Sequence, residues 1–275
     1  MALKILGNLK KNDAMLIVSP HLDDAVLSVG GIMERAATDG IDVVAGTIFT
    51  ADADPSQTMS PIAQELYALW NLGDRPYIVR REEDVAAVAS LGARHIHGGM
   101  LDAIYRNGNT GDVLYPTRAS IFSGPSAKDT VGPAIRDLLS GWMRDIKPRV
   151  VLCPMAVGRH VDHIVTSEAL RHADAGEGVS VFLYEDLPYS AGFFPVDFPD
   201  TVPAAIERSS WTILQPTTIP VDANSKIDAI RLYRSQLADI FPAGRDVEGE
   251  LKQYMSSHDG DGWVERVWAA TSKRN

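Results

Sequence analysis

The opening fifty residues constrain the fold more than any other stretch of the chain. Residues 14 to 20 (Ala-Met-Leu-Ile-Val-Ser-Pro) form a short apolar run that reads as a buried strand. An amphipathic stretch from about Asp24 to Ala37 reads as a helix, stopped by Asp39-Gly40, and Ile41 to Thr50 is again apolar and β-branched. Strand, helix and strand in this order predict two parallel strands joined by a right-handed crossover, the founding unit of a doubly wound sheet.

The alternation continues. Helices are expected at about Pro61 to Leu72 and Arg81 to Leu91, a short strand at Arg94 to His97, a helix from Asp129 to Lys147, a strand from Arg149 to Pro154 and a helix from about Val161 to Ala173. Val179 to Tyr184 and Trp211 to Val221 read as strands, Ala223 to Phe241 as one long helix, and Gly262 to Thr271 as an edge strand. Residues 106 to 130 are rich in Gly, Asn, Ser, Thr and Pro without periodicity, so a long loop is expected there, near the mouth of the site. The fold class is therefore α/β, Rossmann-like, with a mostly parallel sheet flanked by helices. One domain over residues 1–275 is expected, with a core at about 14–190 and a smaller C-terminal extension, 191–275, completing a substrate pocket.

Composition narrows the partners. A formal charge of −10 and a pI near 5.1 argue against a nucleic-acid binder, which needs clustered cations. The single cysteine, Cys153, rules out an internal disulfide and a multi-cysteine metal site, so a metal would have to use His and carboxylates. No run approaches the roughly 20 apolar residues of a membrane span, and the charged start is too short in its apolar stretch for a signal peptide. A cytoplasmic location is the expectation.

Two motifs carry the chemistry. Ser19-Pro20-His21-Leu22-Asp23-Asp24 follows the first strand, and Gly158-Arg159-His160-Val161-Asp162-His163 follows the strand that ends at Pro154. In open parallel sheets, ligands bind beyond the carboxyl ends of the strands, which is where both motifs fall. Each mixes imidazole with carboxylate, the donor set of a zinc site that keeps one carboxylate free as a base. Either motif alone also reads as an ordinary helix N-cap.

With both motifs intact, the chain resembles the PIG-L/LmbE-like deacetylase family, whose signatures are Pro-His-x-Asp-Asp after the first strand and a later His-x-Asp-His. The resemblance implies a Rossmann-like zinc enzyme that hydrolyses an N-acyl, typically N-acetyl, group on an amino sugar or sugar-containing metabolite, with Fe2+ as an alternative metal. It implies His21, Asp24 and His163 as metal ligands and Asp23 as general base. His160 would polarise or protonate the tetrahedral intermediate, oriented by Asp162. Arg80 or Arg81, Asp102, and Glu185 or Asp186 are implied as substrate contacts or as groups tuning the site. Leu22, Ala25 and Gly158 depart from residues common in the family, the last replacing a tyrosine, which sets this chain apart from the thiol-sugar branch.

Two other readings stand beside it. A nucleotide-binding Rossmann enzyme would need a glycine-rich phosphate turn after the first strand, and Gly30-Gly31 comes too late for one. A non-catalytic carbohydrate-binding module on the same fold is the other, against which the intact His21, Asp23, Asp24, His160 and His163 count. Oligomeric state is not readable from the sequence.

Overall fold

The computed structural model describes residues 7, 9–54, 56–192, 194–241, 245–256 and 262–272. His258, a histidine without a partner motif in the sequence, lies outside them. Seven strands form one sheet: β1 (Ala14–Ser19), β2 (Asp42–Phe49), β3 (Arg94–Met100), β4 (Val150–Pro154), β5 (Ser180–Tyr184), β6 (Trp211–Pro220) and β7 (Val264–Ser272). Their spatial order is β3-β2-β1-β4-β5-β7-β6, with β1 to β5 parallel and β7 antiparallel to both of its neighbours. The fold class is the one the opening strand-helix-strand unit demands.

The helices are α1 (Asp24–Thr38), α2 (Pro61–Trp70), α3 (Pro76–Ser90), α4 (Arg118–Ile121), α5 (Gly132–Ile146), α6 (Val161–His172), α7 (Val202–Arg208), α8 (Ala223–Ile230), α9 (Arg234–Ile240) and α10 (Val247–Ser256). They cover both faces of the sheet with apolar side chains. One cluster joins the inward residues of α1, α3 and α8 to Met15, Ile17 and Leu152, and the other joins α2, α5 and α6 to Leu16, Val18 and Cys153. The alternation of β1 residues between the two clusters follows from the two-residue period of a strand.

Several expectations are corrected. The segment at 262–271 is not an edge strand: β7 is sandwiched between β5 and β6, and β6 forms the edge. Ala223 to Phe241 is two helices, because the chain turns at Leu232 and Tyr233, and the buried Tyr233 hydroxyl donates to Asp84 Oδ1 at 2.8 Å. α3 begins at Pro76 instead of Arg81, proline being well suited to a first helical turn. The 106–130 segment carries the short α4 and an isolated bridge between Asn107 and Val113.

Gly30-Gly31 lies inside α1, as the sequence suggests, at a kink where Val29 leaves helical geometry. The freed amides of Gly31 and Ile32 donate to Glu265 Oε1 and Oε2 at 3.0 and 2.7 Å, and Glu265 is paired at 2.7 Å with the fully buried Lys226. A Cβ on Gly31 would lie 2.5 Å from Val221. These glycines serve packing, not phosphate binding.

Candidate metal centre and active-site cleft

The chain passes outward from β1 through β2 to β3, then returns to place β4 on the other side of β1. The carboxyl ends of β1 and β4 therefore flank the topological switch point, where the loops leaving adjacent strands diverge and open a crevice. The loops carrying the two motifs are brought together there, with the loops after β3 and β5 on either side.

Proton bookkeeping on the two ligand-candidate histidines is informative. His163 Nδ1 lies 2.6 Å from Asp186 Oδ1, both side chains fully buried, so the ring proton sits on Nδ1. That leaves the Nε2 lone pair facing Asp24 Oδ2 at 3.2 Å, and this buried nitrogen makes no hydrogen bond. His21 Nε2 lies 3.0 Å from Asp162 Oδ2, which puts its proton on Nε2 and turns the Nδ1 lone pair toward the same Asp24 Oδ2 at 3.2 Å. Two ring nitrogens and one carboxylate oxygen thus converge on a point that calls for positive charge between them, a shared proton or a metal ion. Two imidazoles with one carboxylate are a donor set that zinc and similar divalent ions take.

The electrostatics agree. Burial pushes the Asp24 carboxyl up, but the His163 and His21 rings hold it far below the ordinary carboxylate range. Burial alone would lower His163, yet Asp24 and the Asp186 hydrogen bond raise it to about 9. The site calls for positive charge at this point, supplied by a proton when no metal is bound.

His160 caps α6, accepting the Asp162 N–H at its Nδ1 (3.2 Å). Its proton is therefore on Nε2, which makes this ring a hydrogen-bond donor, and it stands beside His21 and His163 with the ligand atoms of the three rings within 4.8 Å of one another. Burial and the neighbouring His21 push its pKa well below normal, which keeps it neutral. Asp23 lines the cleft, and its carboxyl is raised to about 8 by burial and by the adjacent Asp24.

The structure reassigns several residues singled out in the sequence. The Asp162 carboxylate orients His21, not His160; only its backbone N–H reaches His160. Asp186 and Glu185 do not line the cleft. Asp186 sits behind His163 and also accepts the Val157 N–H at 3.0 Å, while Glu185 is bound by Arg266, Trp268 and Tyr254 away from the cavity. Arg81 turns outward to the Thr50 carbonyl and Asp52, because adjacent helix positions differ by about 100° in direction. Arg80 takes the inward direction and lines the cleft, 3.8 Å from Asp23. Asp102 also lines it, with its oxygens occupied by the Tyr77 hydroxyl (2.6 Å) and the Ile104 amide (3.1 Å), and with His21 Nε2 3.6 Å away.

Arg106 was not legible as a site residue. Its guanidinium donates to Asp162 Oδ1 at 2.5 Å and, through two nitrogens, to Asp129 Oδ2 at 3.1 and 2.8 Å. It thereby keeps Asp162 ionised against its burial, which in turn fixes the His21 tautomer. Its only sequence signal was its place at the head of the polar 106–130 loop. From that loop Arg118, Ile121 and Phe122 reach the cleft, an open cavity of about 680 Å³.

A Rossmann-like sheet with buried histidines and aspartates gathered at its switch point, His21, His160 and His163 among them within 4.8 Å of one another at their ligand atoms, is an α/β scaffold suited to hold a divalent cation. The family model described as PIG-L, GlcNAc-PI de-N-acetylase, matches residues 16–174, and the chain belongs to this family of N-deacetylases. It is 30% identical over 228 residues to the 2'-N-acetylparomamine deacetylase of Streptomyces fradiae, covering 82% of this chain and 74% of the relative. Among solved structures, the zinc-inhibited form of teicoplanin deacetylase Orf2 superposes with a TM-score of 0.79 at 28% identity, over 95% of this chain and 99% of that one. The A40926 pseudoaglycone deacetylase Dbv21 does so with 0.76 at 29% identity, over 97% and 100%. Among the described residues, no helix is long and apolar enough to cross a membrane.

Proposed function

We propose that this chain is a zinc-dependent N-deacetylase that hydrolyses the N-acetyl group of an amino sugar or a sugar-bearing natural product. The observation that carries the reading is the convergence of the His21 Nδ1, His163 Nε2 and Asp24 Oδ2 lone pairs on one buried point. His21, Asp24 and His163 would hold the ion, with Fe2+ the alternative to Zn2+. When bound there, such an ion lowers the pKa of water toward about 7 and polarises a carbonyl oxygen.

The chain's own residues supply the remaining chemistry. In the metal-free protein, burial and the adjacent Asp24 raise the affinity of Asp23 for a proton to about 8, and a general base works best with an affinity near the operating pH. Asp23 takes the proton of the attacking water and returns it to the leaving nitrogen as the C–N bond breaks, so that acetate and the free amine are released. His160 presents Nε2–H to the amide oxygen as negative charge develops there, a contribution worth on the order of 100-fold or more in rate. Asp162, Asp186 and Arg106 bind nothing that reacts; they fix which nitrogen of each imidazole carries its proton. The relatives named above are deacetylases of 2'-N-acetylparomamine, of teicoplanin and of the A40926 pseudoaglycone, which supports an amino-sugar substrate for this chain.

The test is Asp23→Asn, assayed for metal content and for acetate released from N-acetylated amino sugars. The variant should keep its metal and lose about 100- to 10,000-fold in turnover. A variant with near-native turnover would remove Asp23 from the role of base.

A further inference from the structure

Tyr189 is the exception among the eight tyrosines of this chain. Six of them donate the hydroxyl to an acceptor on the protein, as Tyr77 does to Asp102 and Tyr233 to Asp84. Tyr67 receives the Tyr105 hydroxyl. Tyr189 is only 7% exposed and lines the active-site cleft, yet among the described residues its hydroxyl has no hydrogen-bond partner. A tyrosine with so little exposure usually finds a partner for its O–H. Phenylalanine would serve here if packing were all the ring did.

The ring is held in one place. It stands edge-on to His163, with centroids 5.3 Å apart and planes at 89°. Behind it lies Gly158, in the loop that carries His160: a Cβ there would lie 2.5 to 2.7 Å from Tyr189 Cγ, Cδ1 and Cβ, and the backbone φ of +87° suits glycine as well. Gly158 thus meets the Cβ end of the side chain and leaves the hydroxyl end to the cleft. Phe122 lies against both this ring and His160, at 6.0 and 5.4 Å between centroids, so the two side chains border the same part of the cleft. Burial pushes the phenol's proton affinity well up, and the carboxylates that add most to this are Asp24 and Asp23, ahead of Asp186 and of Asp239, which lines the cleft from α9. The hydroxyl therefore feels most strongly the two carboxylates of the first motif.

We infer that Tyr189 is a further catalytic residue, whose O–H donates to the amide oxygen of the substrate as the tetrahedral intermediate forms and completes, with His160 Nε2–H, a two-donor oxyanion hole. This rests on the deacetylase reading and adds to it a residue that neither motif contains. A phenol has one proton to donate and keeps it near neutral pH. No bond to Tyr189 forms or breaks: the hydroxyl stabilises charge while Asp23 moves the protons. A donor aimed at developing charge acts on kcat, whereas a contact to a sugar hydroxyl, equal in bound substrate and transition state, acts on KM.

The experiment measures kcat and KM on 2'-N-acetylparomamine and N-acetylglucosamine for the wild type and Tyr189→Phe, both saturated with Zn2+. Phenylalanine keeps the ring against His163 and Gly158 and removes only the donor. The inference predicts that kcat falls about 100-fold while KM stays within about threefold. A kcat near that of the wild type, or a loss confined to KM, would overturn it. If wild-type protein releases acetate from neither substrate, the deacetylase reading fails by itself, and the donor is read by calorimetric binding of acetate to the zinc-loaded proteins. Binding weakened about tenfold or more in Tyr189→Phe upholds the donor, as expected for a hydrogen bond to a charged oxygen; equal binding, or none by the wild type, overturns it.

Discussion

Replacing Asp186 by Asn changes one atom of a residue that touches neither substrate nor metal, yet it should disable the metal centre. Asp186 holds two donors at once, His163 Nδ1–H at 2.6 Å and the Val157 N–H at 3.0 Å. An asparagine has one acceptor oxygen and one donor nitrogen. With its oxygen kept on the Val157 amide, its NH2 must face His163 Nδ1, forcing the ring proton onto Nε2, where it points at Asp24 in place of a lone pair. With the amide flipped, NH2 meets N–H at Val157, a donor facing a donor in a fully buried setting. Partners that orient a metal-ligating histidine are worth about 10- to 100-fold in metal affinity. That range is about 1.4 to 2.7 kcal/mol, and the tautomer reversal puts Asp186→Asn at its upper end. Asp186→Ala, which imposes no wrong donor, should fall nearer the lower end. Competition for Zn2+ against a chromophoric chelator measures both. An Asp186→Asn affinity within about threefold of the wild type would refute the assigned proton positions and the ligand roles drawn from them.

Other consequences follow from the same network. Arg106→Met strips the cation from Asp162 and Asp129, leaving two buried carboxylates, and should cost about 3 to 5 kcal/mol in urea unfolding; a loss under 1 kcal/mol would mean the network is less buried than described. Metal-free protein should show a pH dependence from Asp23. Its folded-state affinity for a proton is raised from 3.8 to about 8, so its favourable contribution is full below about pH 4 and is lost as pH rises through 8. Thermal unfolding of chelator-treated protein should therefore weaken less between pH 5 and 9 in Asp23→Asn than in the wild type. Parallel curves would count against the raised proton affinity.

Local and periodic signals were legible in the sequence. The β1-α1-β2 opening shows because apolar spacing switches within a few residues from strand to helix and back, and His21, Asp23 and Asp24 show because they are packed into four positions at the end of an apolar strand. His160 and His163 showed for the same reason. Relations that exist only through the fold did not show. Asp162 lies two residues from His160 in sequence but turns its carboxylate to His21, 141 positions away. Arg80 and Arg81 are indistinguishable as letters, and a single step around α3 decides which faces the cleft. Arg106 and Asp239 carry no local pattern, since one acts through a partner 56 residues on and the other stands on a helix whose start is set by the turn at Tyr233. The edge assignment of the last strand failed because alternation reports one covered face and is silent on how many neighbours a strand has.

The central claim, that His21, Asp24 and His163 form one divalent-cation site on which amide hydrolysis depends, is tested most directly by titrating Zn2+ into chelator-treated protein while following acetate release from an N-acetylated amino sugar. The account predicts no release without metal and recovery that saturates near one equivalent per chain, absent in a His21→Ala, His163→Ala double variant. Full activity in the metal-free protein, or undiminished recovery in the double variant, would contradict it.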